Sequence, residues 1–155
     1  MDELPGTVGT SASLALRLGQ SIFSVASLLF MCLDVPFYSF TSFCFLVTVM
    51  GLVMAWSLTL AMVDAFSLLI RLPSRQPGIV SLVVLGDWVL TFLSLAAACS
   101  TASAADYLVY SRSPFCKGNL CTRYQLSAAT ALLAWFLTFS SSLFNLWLLP
   151  KLYPE

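Results

Sequence analysis

The sequence predicts an all-α protein, an integral membrane four-helix bundle with both termini cytoplasmic. Two observations lead to this fold class. The 155-residue chain is 59% hydrophobic and only 9% charged, whereas a soluble domain carries about 25% charged residues to keep its surface hydrated. Its apolar residues also gather into four runs, each long enough for a helix to cross the hydrocarbon layer, which takes about 20 residues.

The four runs define the predicted spans. They lack the apolar–polar alternation of a β-barrel strand, and a helix satisfies its own backbone hydrogen bonds inside lipid. The first run is longer than the apolar core of a typical signal peptide, so we expect this span to be retained. Residues 1–155 are therefore predicted to form a single four-span membrane domain, with spans at residues 13–33, 40–63, 79–105 and 126–149.

The connections between the spans are predicted to be short and polar. Residues 34–36 read Asp-Val-Pro and predict a tight hairpin, because proline does not continue a helix. Residues 64–78 contain a Pro-Ser-Arg-Gln-Pro-Gly cluster and predict a polar loop. Residues 106–125 are the longest predicted connection.

The orientation in the membrane depends on the basic residues and on two cysteines. Basic residues gather on the cytoplasmic side of a membrane. Here one side would carry four basic residues and the other three, a difference too small to decide the orientation. Cys116 and Cys121 lie in one predicted connection at a spacing that permits a small disulfide-closed turn, the alternative being two free thiols. A disulfide persists outside the cytoplasm and would place both termini inside. With that orientation the inner basic residues are Arg17, Arg71, Arg75 and Lys151, and the outer ones are Arg112, Lys117 and Arg123.

Two charged residues lie clearly within the apolar runs, namely Arg17 and Asp87. A charge at the bilayer centre costs about 2.5–3.5 kcal/mol on insertion scales. Both residues lie in the same leaflet, roughly 6 Å and roughly 12 Å into their helices, so an interhelical ion pair is predicted. The alternatives are that Arg17 snorkels to the headgroups and that Asp87 titrates in a proton relay.

Small side chains recur at helical spacing in the first and third spans. Ser94, Ala98 and Ala102 are four residues apart, and Ala15 and Gly19 flank Arg17. Small residues let membrane helices approach closely. These stripes are predicted to serve packing within the bundle, with some left for partner subunits. The four tryptophans are scattered, which indicates anchoring or packing: Trp56, Trp88, Trp135 and Trp147.

The composition also argues against several kinds of chemistry. The chain has no histidine, which removes the usual general base and the usual metal ligand. No glycine-rich phosphate loop, metal-spaced ligand cluster or nucleophile elbow is found, so no cofactor or metal is expected. Zero net charge with scattered basic residues gives no surface for nucleic acid. The sequence therefore predicts a protein that is not an enzyme.

The chain resembles the plant Casparian strip membrane domain proteins and their CASP-like relatives, in particular the group 5 branch. Four spans, with Arg17 in the first and Asp87 in the third, are similar to the family pattern. The resemblance runs from about residue 2 to residue 150. The segments that carry it are Met1-Asp-Glu-Leu-Pro-Gly-Thr-Val-Gly-Thr10, Phe40-Thr-Ser-Phe-Cys44, Gly86-Asp-Trp88, and Cys116 and Cys121 with Tyr124-Gln-Leu126.

The resemblance implies a multi-pass plasma-membrane protein of a land plant, related to the MARVEL four-span proteins. It implies partners of three kinds: the chain itself and related family members, in homo- and hetero-oligomers; membrane lipids; and cell-wall enzymes. It also identifies Arg17 and Asp87 as the family's intramembrane charged pair. The founding proteins form immobile scaffolds and carry a distinct sequence in their first outer loop, which here shrinks to residues 34–36.

These expectations combine into one leading hypothesis. The protein is predicted to be a non-enzymatic, oligomerising scaffold or membrane-domain organiser of the plasma membrane, linked to local cell-wall modification. The alternative is a small proton-coupled transporter or channel subunit that uses Asp87. A third possibility is an accessory subunit that chaperones another membrane protein.

Overall fold

Four long helices make up the computed structural model, which describes residues 11–33, 39–70, 77–112, 114, 116 and 118–152. The helices are α1 (Ser11–Cys32), α2 (Thr41–Ile70), α3 (Pro77–Tyr110) and α4 (Leu120–Leu152). All four are long and apolar enough to cross a membrane. The prediction of an all-α protein with four membrane-length helices is confirmed.

The helices form a closed ring in which each packs against two neighbours. Helix α1 contacts α2 and α4, and α3 contacts the same two helices from the opposite side. Consecutive helices run antiparallel, as in an up-down-up-down bundle, so α1 and α3 lie diagonally across the centre. Ser11 and Leu152, the two ends of the described chain, consequently lie at the same end of the bundle.

Helix α1 buries polar residues and exposes apolar ones. Apart from Met31, its buried residues are all polar: Ser13, Arg17, Gln20, Ser21, Ser24 and Ser27. Leu18, Ile22, Val25 and Leu29 are exposed on the opposite face. In water this pattern would be unstable, but lipid is an apolar solvent in which large apolar side chains can face outward. The interior is therefore where polar groups find partners.

The helices extend beyond four of the predicted span ends. Helix α2 continues beyond residue 63 to Ile70, because residues 64–70 contain no helix breaker and Pro73 comes only later in the sequence. Helix α3 extends to Tyr110 and α4 begins at Leu120, so most of the predicted 106–125 connection is helical. Helix α4 also passes through Pro150 to Leu152. The predicted hairpin at residues 34–36, and Arg71 and Arg75, lie outside the described residues.

Candidate functional site

Arg17 and Asp87 meet in the interior of the bundle, between the helices. Arg17 donates from Nη1 to Oδ1 and from Nη2 to Oδ2 of Asp87, both at 2.7 Å. The two side chains are 1% and 0% exposed. This two-pronged geometry matches the planar guanidinium to the planar carboxylate. Since α1 and α3 lie on a diagonal of the ring, the ion pair joins two helices that are not neighbours in it.

Side chains of the remaining two helices, α2 and α4, also donate hydrogen bonds to Asp87. The indole Nε1 of Trp56 in α2 donates to Oδ1 at 2.9 Å, and Nδ2 of Asn145 in α4 donates to Oδ2 at 3.2 Å. An ionised carboxylate has about four acceptor positions, and four hydrogen bonds fill them here. We call Arg17, Trp56, Asp87 and Asn145 the four-helix junction, because each residue comes from a different helix.

Gly86 allows Trp56 to reach the junction. A Cβ atom added at Gly86 would lie 2.4 Å from Cζ2 of the Trp56 ring. Any larger residue would therefore push the indole away from Asp87. Gly86 thus leaves space for the Trp56 ring, and the adjacent Asp87 accepts the hydrogen bond from the ring's N–H group.

A second buried carboxylate lies nearer the end of the bundle. Asp64 in α2 is 1% exposed, and its Oδ2 accepts a hydrogen bond from Oγ of Ser13 at 2.8 Å. The sequence analysis placed Asp64 at the start of a polar loop, which is wrong: it lies within α2. At the opposite end, Arg123 of α4 donates to the carbonyl of Leu33 at 2.8 Å. The 20 residues between Ser13 and Leu33 rise by about 30 Å, the thickness of the hydrocarbon layer.

Other polar contacts surround the four-helix junction. Ser57 of α2 donates to Oε1 of Gln20 at 2.8 Å. The hydroxyl groups of Thr91 in α3 and Ser142 in α4 lie 3.2 Å apart. We call the part of the bundle that holds the four-helix junction, these contacts and the chain ends the terminus half of the bundle. Its buried polar and charged residues are Ser13, Arg17, Gln20, Ser21, Ser57, Asp64, Asp87, Thr91, Ser141, Ser142 and Asn145.

The other half of the bundle has a mainly apolar interior, and the buried polar side chains described there belong to serine and threonine: Ser24, Ser27, Ser94, Thr101, Ser127 and Thr138. We call it the disulfide half, because Cys116 and Cys121 are bonded at its end with their Cα atoms 5.2 Å apart. The rings of Phe43 and Tyr124 stack there at 4.4 Å. One reciprocal polar contact joins α1 to α4, with Ser27 and Ser127 each donating to the other's carbonyl. The core cluster lies in this half: Met31, Phe43, Leu46, Val49, Met50, Val53, Ala97, Ala98, Ala105, Leu108, Tyr124, Ala131 and Ala134.

The small-residue stripes lie mainly inside the bundle. Ser94 and Ala98 are fully buried, while Ala102 is half-buried. A Cβ atom at Gly19 would approach a methyl group of Leu137 in α4 to 2.9 Å, so Gly19 also serves internal packing. Ala15 is exposed. The burial of Ser94 and Ala98 agrees with the predicted packing within the bundle, and the use of a stripe by a partner subunit stays a prediction.

Sequence reasoning missed Trp56, Asn145 and Asp64 as members of the buried polar network. Asn145 and Gln20 could have been found, because an amide within an apolar run needs a partner in lipid. Trp56 carried no such signal, since its donor is a single atom on a large apolar ring. Among the described residues no group of His, Cys, Asp and Glu side chains could hold a metal ion. The arrangement provides cohesion between helices.

Four membrane-length helices held together by a buried ion pair define a multi-pass membrane protein. The chain belongs to the Casparian strip membrane protein domain family, whose model matches residues 6–137, and within it to the CASP-like proteins of group 5, branch 5C. It is 52% identical to CASP-like protein 5C2 of Arabidopsis thaliana over 99% of both chains. It is 58% identical to CASP-like protein 5C1 of Oryza sativa subsp. japonica over 92% of this chain and 91% of the relative.

A more distant relative is CASP-like protein 5B1 of Ginkgo biloba. It is 47% identical over 96% of this chain and 83% of its own length. No solved structure matches the chain. The resemblance found in the sequence is therefore confirmed at the level of the family and its group 5 branch.

Proposed function

We propose that the protein is a non-enzymatic scaffold that assembles with itself and with related family members in the plasma membrane. In this role it organises a membrane domain and is linked to local modification of the cell wall through recruited wall enzymes, as the family resemblance implies. Its termini face the cytoplasm and the disulfide half faces the wall. The family membership supports this proposal over nearly the whole chain.

The observation that carries the proposal is the four-helix junction. A transported ion or proton needs a binding group with free acceptor capacity, but Asp87 accepts four hydrogen bonds from Arg17, Trp56 and Asn145. The interior of the disulfide half is formed mainly by apolar side chains and, among the described residues, buries no charged group. These features favour a rigid structural unit over the alternative of a proton-coupled transporter or channel subunit.

The mobility of the protein in a plant plasma membrane tests the proposal. The protein is tagged with a fluorescent protein at a terminus, and recovery is measured after photobleaching. A lipid-anchored fluorescent protein in the same membrane gives the recovery of a freely diffusing molecule. We expect the tagged protein to show no recovery for minutes, because an assembled scaffold does not exchange subunits on that timescale.

Fast and complete recovery, equal to that of the lipid-anchored control, would contradict the scaffold role. The next measurement would then be flux through reconstituted vesicles at several pH values. A flux that Asp87→Asn abolishes in a folded protein would support the transporter alternative.

A further inference from the structure

Four buried polar atoms between the four-helix junction and the middle of the bundle pair with no atom of the described residues. They are Nε of Arg17, Nε2 of Gln20, Oγ of Ser24 and Oδ1 of Asn145. All four residues are at most 1% exposed. A buried polar group without a partner costs about 1–3 kcal/mol, so four such groups in one region require an explanation.

Three of these atoms follow one face of α1. Arg17, Gln20 and Ser24 are three and four residues apart, which places them on one face at rises of about 4.5 and 6 Å. Asn145 reaches the same region from α4, because its Nδ2 donates to the Asp87 oxygen that also accepts from Nη2 of Arg17. The four groups therefore extend from the four-helix junction toward the middle of the bundle.

The chemistry of these groups indicates which ligand would suit them. Nε of Arg17 and Nε2 of Gln20 are donors, Oδ1 of Asn145 is an acceptor, and the Ser24 hydroxyl is both. A ligand that joins them must donate and accept. It must also be neutral, because Asp87 already balances the charge of Arg17 and an added ion would be an unpaired buried charge.

We propose that these four groups form a binding site for ordered internal water. A buried water molecule makes about three hydrogen bonds to otherwise unpaired polar groups, so ordered water molecules along this face would satisfy the set. The site lies between the four-helix junction and the middle of the bundle and does not depend on the scaffold role. It would supply Nε of Arg17 with the acceptor that no described residue provides.

The chain supplies an internal control in Trp135. Its Nε1 is the remaining unpaired buried atom among the described side chains. The Trp135 ring stacks on Phe139 at 5.6 Å, so its surroundings are aromatic. A single donor in such surroundings does not hold water, because a bound water needs two to four polar partners.

Solid-state NMR on the protein in lipid bilayers tests the site. Magnetisation is transferred from water to side-chain N–H groups, with ¹⁵N labels on arginine, glutamine and tryptophan. We expect transfer to Nε of Arg17 and Nε2 of Gln20, and none to Nε1 of Trp135 at the same mixing time. Absence of transfer to Arg17 and Gln20 would overturn the proposal, and so would equal transfer to all three groups, which would mean general penetration of water.

A pair of serine variants gives an independent test by the size of the stability change. Ser21 donates to the carbonyl of Arg17 at 3.0 Å, so Ser21→Ala removes an ordinary hydrogen bond within the helix. Ser24→Ala removes a hydroxyl that is proposed to bind water. We expect Ser24→Ala to lower the unfolding midpoint by about 2–4 °C more than Ser21→Ala does. An equal or smaller decrease, or an increase, would overturn the proposal, because a dry unpaired hydroxyl is removed at no loss.

Discussion

The two halves of the bundle hold their helices together by different means. The terminus half joins all four helices through the carboxylate of Asp87. The disulfide half relies on stacked rings, closely packed alanines and the Cys116–Cys121 bond. Lipid is as apolar as the side chains it surrounds, so burial of apolar area drives helix association only weakly. Directional polar contacts therefore fix which helices meet, and close packing completes the fold.

This difference predicts that single changes have larger effects in the terminus half. A hydrogen-bonded charge cannot adapt when its partner is removed, since the remaining charge stays buried. When an apolar side chain is shortened, lipid or a neighbouring methyl group fills part of the gap that it leaves. Each of the following experiments is designed to test that difference.

The largest effect is expected for Asp87→Asn. The substitution keeps the size of the side chain but leaves the Arg17 guanidinium as an unpaired buried charge, which costs about 3–5 kcal/mol. We expect low expression and loss of the folded form in thermal unfolding of the purified protein. Asp106→Asn is the matched control, because Asp106 lies on the same helix and is exposed.

A normal yield and oligomer size for Asp87→Asn would contradict the structural role of the ion pair. The charge-reversed double variant Arg17→Asp with Asp87→Arg extends the test. It should recover part of the stability, because the pair is restored although the contacts of Trp56 and Asn145 are lost.

A smaller loss is expected for Gly86→Ala. The added Cβ would displace the Trp56 ring and break its hydrogen bond to Asp87, an overpacking effect of about 1–3 kcal/mol. Gly51→Ala is the matched control, since a Cβ at Gly51 meets no atom within 4 Å. The control should raise stability by about 0.5–1 kcal/mol through helix propensity. The same sign of change for both variants would show that Trp56 does not depend on Gly86.

The disulfide half is tested by the double variant Cys116→Ala with Cys121→Ala. Loss of a bond that closes a short loop should cost about 2 kcal/mol. Hydrogen exchange should increase at the end of α3 and the start of α4, where both cysteines pack against the core cluster, and stay unchanged around Asp87. Cys99→Ala is the control, because Cys99 is a free, exposed cysteine. Faster exchange around Asp87 would mean that the two halves unfold together.

Much of the fold follows from the sequence, because membrane helices are specified by local composition. Four apolar runs and few charges suffice to predict four helices, and the two buried charges of Arg17 and Asp87 stand out because lipid offers them no other partner. The ends of the helices were harder to predict from the sequence. Apolar and small residues such as those at 65–70 suit both a helix that extends past the membrane and a loop, so composition does not locate the last turn.

The tertiary structure alone decided which groups complete the site. Trp56 and Asn145 are far from Asp87 in sequence, and only the antiparallel ring of helices brings their donors to its carboxylate. Asp64 is buried because α2 continues beside Ser13 of α1. The division into a polar and an apolar half likewise arises from the alignment of four helices at the same depth. Sequence determines that each helix lies in lipid, whereas packing determines which side chains share the interior.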